Sequence, residues 1–184
     1  VVISFNSAVR GLQQSTKEKT LESLREIFYE ASTKKSFQSE KEKESFYQTW
    51  LGVYLENYPD YTFLALDEGA NKAIGYITCC PDTSADLSQL NQPSLSHWSE
   101  FYQDYPAHLH INCAASARGK GIGSKLCQAL EDKLRADRIG GLHLVTAQGD
   151  RNTSFYKKLG FSSLKTHRLN ENLTFLLLGK KILD

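Results

Sequence analysis

Hydrophobic positions along this chain change their period several times, and each change marks an element. Val1–Ser4 is apolar and β-branched and predicts an opening strand. Leu21, Leu24, Ile27 and Phe28 then recur at helical spacing within Thr20–Ala31. Thr33–Glu44 is rich in Ser, Lys and Glu and predicts a solvated loop. A second amphipathic segment, Ser45–Glu56, carries Phe46, Trp50, Val53 and Tyr54 on one face, and Asn57-Tyr-Pro-Asp60 breaks it. Tyr61–Leu66 and Lys72–Cys80 predict two strands, joined in a hairpin by the loop Asp67-Glu-Gly-Ala-Asn-Lys72.

Pro81–Pro106 is polar but carries Trp98, Phe101, Tyr102 and Tyr105. It predicts an excursion from the sheet with one short helix, Leu95–Tyr102, that could cover a site. Ala107–Cys113 predicts a strand with Leu109, Ile111 and Cys113 on one face and His108, His110 and Asn112 on the other. The loop Ala114–Gly121 leads into a helix, Ile122–Asp137, with Leu126, Ala129, Leu130 and Leu134 as its stripe and Gly140-Gly141 as its stop. Leu142–Ala147 predicts a short buried strand, and Asn152–Leu159 a short helix closed by Gly160. Phe161–Arg168 and Leu173–Leu178 finish as strands across Asn170-Glu-Asn172. This order predicts an α/β domain of the mixed-sheet kind over residues 1–184, with about seven strands and about four helices. The sheet is expected to be antiparallel at its ends and parallel across the helix crossover, where sites gather at the carboxyl ends of the strands.

Composition narrows this reading without directing it. At 184 residues the chain can bury a real core, and its 40% hydrophobic and 23% charged residues are ordinary for a globular protein. A formal net charge of +1 gives no reason to expect nucleic acid or an anionic membrane as partner. Apolar runs such as Phe175–Leu178 fall far short of the roughly 20 residues a membrane helix needs. Nothing near the start reads as a signal peptide. Met is absent, position 1 included, so the chain is expected to be trimmed or to lack modified residues. Cys79, Cys80, Cys113 and Cys127 show no CxxC spacing and are expected as reduced thiols of a cytoplasmic protein. No metal site is expected, since strand alternation separates Cys113 from His108 and His110.

Candidate chemistry concentrates at Arg118-Gly-Lys-Gly-Ile-Gly123, between a predicted strand and a predicted helix. Glycines let the backbone wrap closely around a ligand. The free N–H groups of the helix start and the helix dipole favour an anion there, and Arg118 and Lys120 add full positive charges. A pyrophosphate is large enough to use the whole loop. The nucleotide P-loop pattern fails here, because from Gly119 it would need glycine at Ser124 and serine or threonine at Leu126. The dinucleotide fingerprint needs G-x-G-x-x-G and an acidic residue at the next strand's end. Here the spacing is G-x-G-x-G and that strand ends Thr146-Ala147-Gln148. A tight turn that binds nothing remains the bland alternative.

Arg118, Gly121 and Gly123 also meet the pattern (Q/R)-x-x-G-x-(G/A). Further on, Asn152-Thr-Ser-Phe-Tyr-Lys-Lys-Leu-Gly-Phe161 looks like N-x-x-(A/S)-x-x-F-Y-x-(K/R)-x-G-F, with a shorter interval between Asn152 and Phe155-Tyr156. On these residues the chain resembles the GCN5-related N-acetyltransferase (GNAT) superfamily. The resemblance covers nearly the whole chain in element order, and its specific motifs lie between Ala107 and Phe161. Tyr105-Pro-Ala-His-Leu-His-Ile111 further resembles the acetyltransferase-like domains related to the C-terminal part of O-GlcNAcases.

The resemblance implies an acetyl-CoA-dependent N-acetyltransferase in which an amine acceptor, a small molecule or a protein, attacks directly and CoA is the product. It implies a monomer or homodimer whose fourth and fifth strands splay apart. Pantetheine would pair with the backbone of Ile111, Asn112 and Cys113, and the pyrophosphate would lie on Arg118, Gly119, Lys120, Gly121, Ile122, Gly123 and Ser124. Asn152 would bond the arm, and a strand-four N–H would stabilise the oxyanion. Tyr156, expected exposed at the start of its helix, is the family-matched general acid for the departing thiolate, and it would also contact the cofactor. The position where such enzymes often carry a base is Ala107, so His110 becomes the candidate base, with a water relay as the alternative. A second function class stays open, a non-catalytic acyl-CoA-binding module, which Ala107 favours.

Overall fold

The structure, a computed structural model, describes residues 1–11, 13–67, 69–70, 72–150 and 152–183. Two compact units divide the chain, Val1–Cys79 with His110–Lys133 and Cys80–Leu109 with Leu134–Asp184. Its strands are β1 (Val2–Ser4), β2 (Phe63–Asp67), β3 (Lys72–Cys80), β4 (Ala107–Cys113), β5 (Gly141–Ala147), β6 (Ser162–Arg168) and β7 (Thr174–Lys181). They form one mixed seven-stranded sheet in the order β1-β2-β3-β4-β5-β7-β6.

In the first unit, β1 pairs antiparallel with β2, and β2 with β3 across a bulge between Ala65 and Leu66. Within the β2–β3 hairpin loop, Glu68 and Asn71 lie outside the described residues, while Asp67 accepts from the N–H groups of Gly69 and Ala70. α1 (Phe5–Gly11) and α2 (Gln14–Ala31) follow β1. The expected stripe of α2 is buried at Leu24, Ile27 and Phe28 and packs with Tyr47, Leu51, Leu64 and Tyr76. Thr33–Glu44 is not loop throughout, because α3 (Glu40–Tyr47) begins inside it. Ser39 caps that helix by accepting from the Glu42 N–H at 3.1 Å, and the Glu42 carboxylate reaches back to the Gln38 N–H at 2.6 Å. This reciprocal cap outweighs the solvated composition, and Glu40 and Glu42 suit the dipole of the first turn. The helix continues through a π-helical turn, Gln48–Gly52, into α4 (Val53–Asn57).

In the second unit, β5 and β6 both pair antiparallel with β7. β4 and β5 run parallel, with register partners at Ala107–Leu142 and His108–His143. The excursion holds more structure than expected. Asp82 caps α5 (Thr83–Leu90) by accepting from the Ala85 N–H at 3.1 Å, and Asn91 ends it at φ +48°. A 3₁₀ segment, Pro93–Phe101, replaces the expected α-helix. Its aromatics turn inward, with Trp98 and Tyr102 packing on Leu177, Val145 and Phe175, so they build core where a site cover was expected.

α6 (Ile122–Ala136) follows the glycine loop, and α7 (Asn152–Lys158) follows β5. The described residues therefore hold seven α-helices where about four were expected from the pattern. Gly140-Gly141 does not end α6. Arg138 at φ +58° does so, with the Ile139 N–H returning to the Leu134 carbonyl at 2.9 Å. Gly141 lies inside β5, where a Cβ would collide with the Asp104 carbonyl oxygen.

Candidate active site

The glycine loop is shaped by local bonds at both ends. The Ala114 N–H donates to the Ile74 carbonyl at 3.0 Å, and a 3₁₀ turn, Ala115–Ala117, follows. Arg118 then turns back, its Nε donating to the Cys113 carbonyl at 3.2 Å. Gly119 and Gly121 have φ of +73° and +75°, conformations that disfavour any side chain. No atom lies within 4 Å of where a Cβ would stand on either. The Lys125 N–H bonds the Gly121 carbonyl at 3.1 Å, so the N–H groups of Ile122, Gly123 and Ser124 form the first turn of α6, ahead of that intrahelical bond. Lys120 is exposed beside them. The arrangement is an open anion cradle made mainly of backbone.

The second half of β4 is half-buried from His110 to Cys113. Asn112 donates through Nδ2 to the Tyr76 hydroxyl at 2.7 Å. Burial pushes the Tyr76 phenol well above its ordinary pKa, against the opposing pull of that bond. Burial also raises the pKa of the free Cys113 thiol, and the Arg118 charge acts the other way. His110 presents its ring edge-on to two aromatics, Trp50 at 5.8 Å and Tyr54 at 5.2 Å between centroids. Both belong to the apolar face read in the second amphipathic segment. Nothing in the periodicity tied that face to β4.

His108 lies in a different setting. It is only 2% exposed and stacks on His143 at 5.0 Å, which in turn stacks on Tyr102 at 5.1 Å. The His143 Nδ1 is 2.6 Å from the Tyr105 carbonyl, which assigns the ring proton to Nδ1 as donor. Burial lowers the His143 pKa to about 4, so the ring is neutral near pH 7. Sequence reasoning passed over His143, whose signal was a polar residue inside the apolar run Leu142–Val145.

Asn152 opens α7, its Oδ1 accepting from the Thr146 hydroxyl at 3.1 Å, with Asp150 Oδ2 at 3.2 Å from the same oxygen. Tyr156 departs from expectation. It is the fifth residue of α7, 6% exposed, with its ring against Phe155 at 5.2 Å and Phe161 at 5.8 Å. The apolar surface of this short helix faces inward, and the phenol ring goes with it.

The model of the Acetyltransferase (GNAT) family matches residues 21–161. The chain belongs to that family. Among solved structures it is similar to SsHAT, at 20% identity and a TM-score of 0.72, over 100% of this chain and 98% of the other. It is also similar to an aminoglycoside 6'-N-acetyltransferase complexed with coenzyme A, at 15% identity and a TM-score of 0.65, over 100% and 98%. A third is a GNAT superfamily phosphinothricin acetyltransferase from Sinorhizobium meliloti in complex with AcCoA, at 19% identity and a TM-score of 0.61, over 100% and 88%. At these identities the likeness shows a shared fold.

In this GNAT chain Ala107 is fully buried. Among the described residues, no group of three or more His, Cys, Asp or Glu side chains could hold a metal ion. No helix among them is long and apolar enough to cross a membrane.

Proposed function

We propose that this GNAT protein is an N-acetyltransferase that takes the acetyl group of acetyl-CoA and passes it to an amine, releasing CoA. The observation that carries the reading is the anion cradle, with Gly119 and Gly121 in left-handed conformations ahead of the first turn of α6. It would hold a pyrophosphate on the backbone N–H groups from Gly119 to Ser124, with Lys120 beside it. The backbone of Ile111, Asn112 and Cys113 would pair with the amides of pantetheine, and Asn152 would bond the same arm.

An amine acceptor is mostly protonated near pH 7, with a reference pKa of about 10.4 for lysine. His110 would accept that proton, directly or through one water, its ring orientation fixed by Trp50 and Tyr54. A β4 N–H would stabilise the oxyanion formed as nitrogen attacks the thioester carbon. Tyr156 would give its phenolic proton to the sulfur as the C–S bond breaks, which prevents reversal. A second reading, an acyl-CoA-binding module without turnover, draws support from Ala107 at the usual place of a β4 base.

Acetyl-CoA at a hundred times its Kd should raise stability by about 2.7 kcal/mol, read as a higher Tm. NAD at matched concentration should do less, and a larger shift with NAD would refute the donor. Release of CoA thiol in a screen of amines and peptides separates enzyme from binding module.

A further inference from the structure

Tyr76 carries a hydroxyl into an apolar core. The residue is 1% exposed, in the cluster that holds Leu24, Ile27 and Phe28 of α2 together with Leu51. Phenylalanine would fill the same space with no polar atom to satisfy. The hydroxyl accepts from Asn112 Nδ2 at 2.7 Å, and among the described residues neither side chain makes another hydrogen bond. Asn112 itself is half-buried on β4. Tied through one N–H, its carboxamide is held in place and keeps Oδ1 and a second N–H uncommitted. Stability gives little reason for the pair, since replacing both partners by apolar groups of the same shape can be nearly neutral. Asn112 lies on the face of β4 that also carries His110, two positions earlier. Such neighbours stand about 6.6 Å apart along a strand, so a single substrate atom can be bonded by both.

We propose that Asn112, oriented by Tyr76, selects the acceptor: its Oδ1 receives the one hydrogen that a primary amine keeps through the whole reaction. This deepens the functional reading above and rests on it. A primary ammonium group carries three hydrogens. The first leaves as a proton to His110 or water and frees the lone pair. That pair forms the N–C bond at the thioester carbon, and the C–S pair departs with sulfur. The second hydrogen leaves nitrogen as a proton when the tetrahedral intermediate collapses, while Tyr156 protonates the sulfur and is reprotonated in turn. Net, one proton ends on the CoA thiol and one in water. The third hydrogen stays on nitrogen in the amide product, so it can hold Oδ1 from start to end. A secondary amine must give up both of its hydrogens, and an alcohol its only one. Each then turns a lone pair toward Oδ1. A site that bonds a substrate N–H rejects analogues that lack it.

The experiment measures kcat/KM with acetyl-CoA for the side-chain amine of Nα-acetyl-lysinamide and for its Nε-methyl counterpart. Wild type, Asn112→Leu, Tyr76→Phe and the double variant are compared, with acetyl-CoA affinity by calorimetry and thermal melts alongside. Asn112→Leu strands the buried hydroxyl and should lower Tm, and the double variant should restore it. Turnover should not follow. In the double variant kcat/KM for the primary amine should stay about tenfold to a hundredfold below wild type, with acetyl-CoA affinity within about threefold. The preference for the primary over the methylated amine should shrink by a similar factor. Tyr76→Phe alone should cost less, about threefold, because Asn112 is present but no longer held. Recovery of wild-type rate and preference together with Tm in the double variant would overturn the proposal, leaving Asn112 as the partner of a core hydroxyl. A wild type that binds acetyl-CoA but acetylates neither amine would overturn it as well. Failure of the wild type to bind acetyl-CoA would instead overturn the functional reading itself.

Discussion

The two halves of β4 carry the same alternation of residues and use it in different ways. From Ala107 to Leu109 every position is buried, and the ladder to β5 runs through Ala107 and His108. There His108 is one layer of a ring stack with His143 and Tyr102. From His110 to Cys113 the strand is half-buried, His110 meets ring edges, Asn112 meets a phenol, and the Cys113 carbonyl receives Arg118. One polar face, written as His108, His110 and Asn112, is thus divided between a buried and a half-buried stretch. Burial makes the division: the His108 ring, 2% exposed, helps hold a core, while the His110 ring is half-buried.

The sharpest way to break this contrast lies just beyond the open half. Gly121→Asp places a side chain at φ +75° and a negative charge where an anion is expected. Acetyl-CoA affinity should fall by about 10³-fold or more, while the left-handed strain lowers Tm by about 2–4 °C; wild-type affinity in the folded variant would remove the loop from the site. Next in size is a matched pair two residues apart. His110→Gln should lower kcat/KM by on the order of 10² to 10³. His108→Gln should instead lower Tm and leave kcat/KM within about threefold. Equal effects of the two on rate would abolish the distinction between the halves.

Tyr156→Phe should cost about 10²-fold in kcat with little change in acetyl-CoA affinity, because the hydroxyl acts only as the thiolate leaves. An unchanged kcat would make the tyrosine, buried as it is, a packing residue. The smallest effect belongs to the closed half. The folded state holds His143 at a pKa of about 4, against an ordinary 6.5. Between those values the unfolded chain binds a proton that the folded chain refuses, so stability is lost as pH falls from about 6.5 to 4. The ceiling is roughly 3 kcal/mol, and about 1–2 kcal/mol is expected. His143→Phe keeps a ring in the stack and should flatten that slope in melts run across the window. A slope as steep as wild type would place the acid sensitivity elsewhere.

Particular elements show how far local sequence reached. β3 and β4 were legible to the residue, because apolar runs bounded by turn residues admit few other readings. α3 was missed at its start and α5 altogether, where the deciding groups were the caps Ser39 and Asp82 and where polar composition pointed to loop. Trp98 and Tyr102, aromatics of the excursion, have no visible partner in the local sequence. Leu177 and Phe175, which they pack against, come much later in the chain.

The sequence by itself determined the glycine loop. Three glycines between a strand and an amphipathic helix specify backbone conformation and free N–H groups within a few residues, and such chemistry needs no distant partner. Only the tertiary structure decided which histidine of β4 is buried and which is half-buried, that Trp50 and Tyr54 flank His110, and that Tyr156 turns inward. The histidine settings depend on side chains far apart in the chain meeting at a shared surface, while Tyr156 packs against Phe155 and Phe161 close by. Periodicity assigns a residue to a face, but what covers that face is settled by packing.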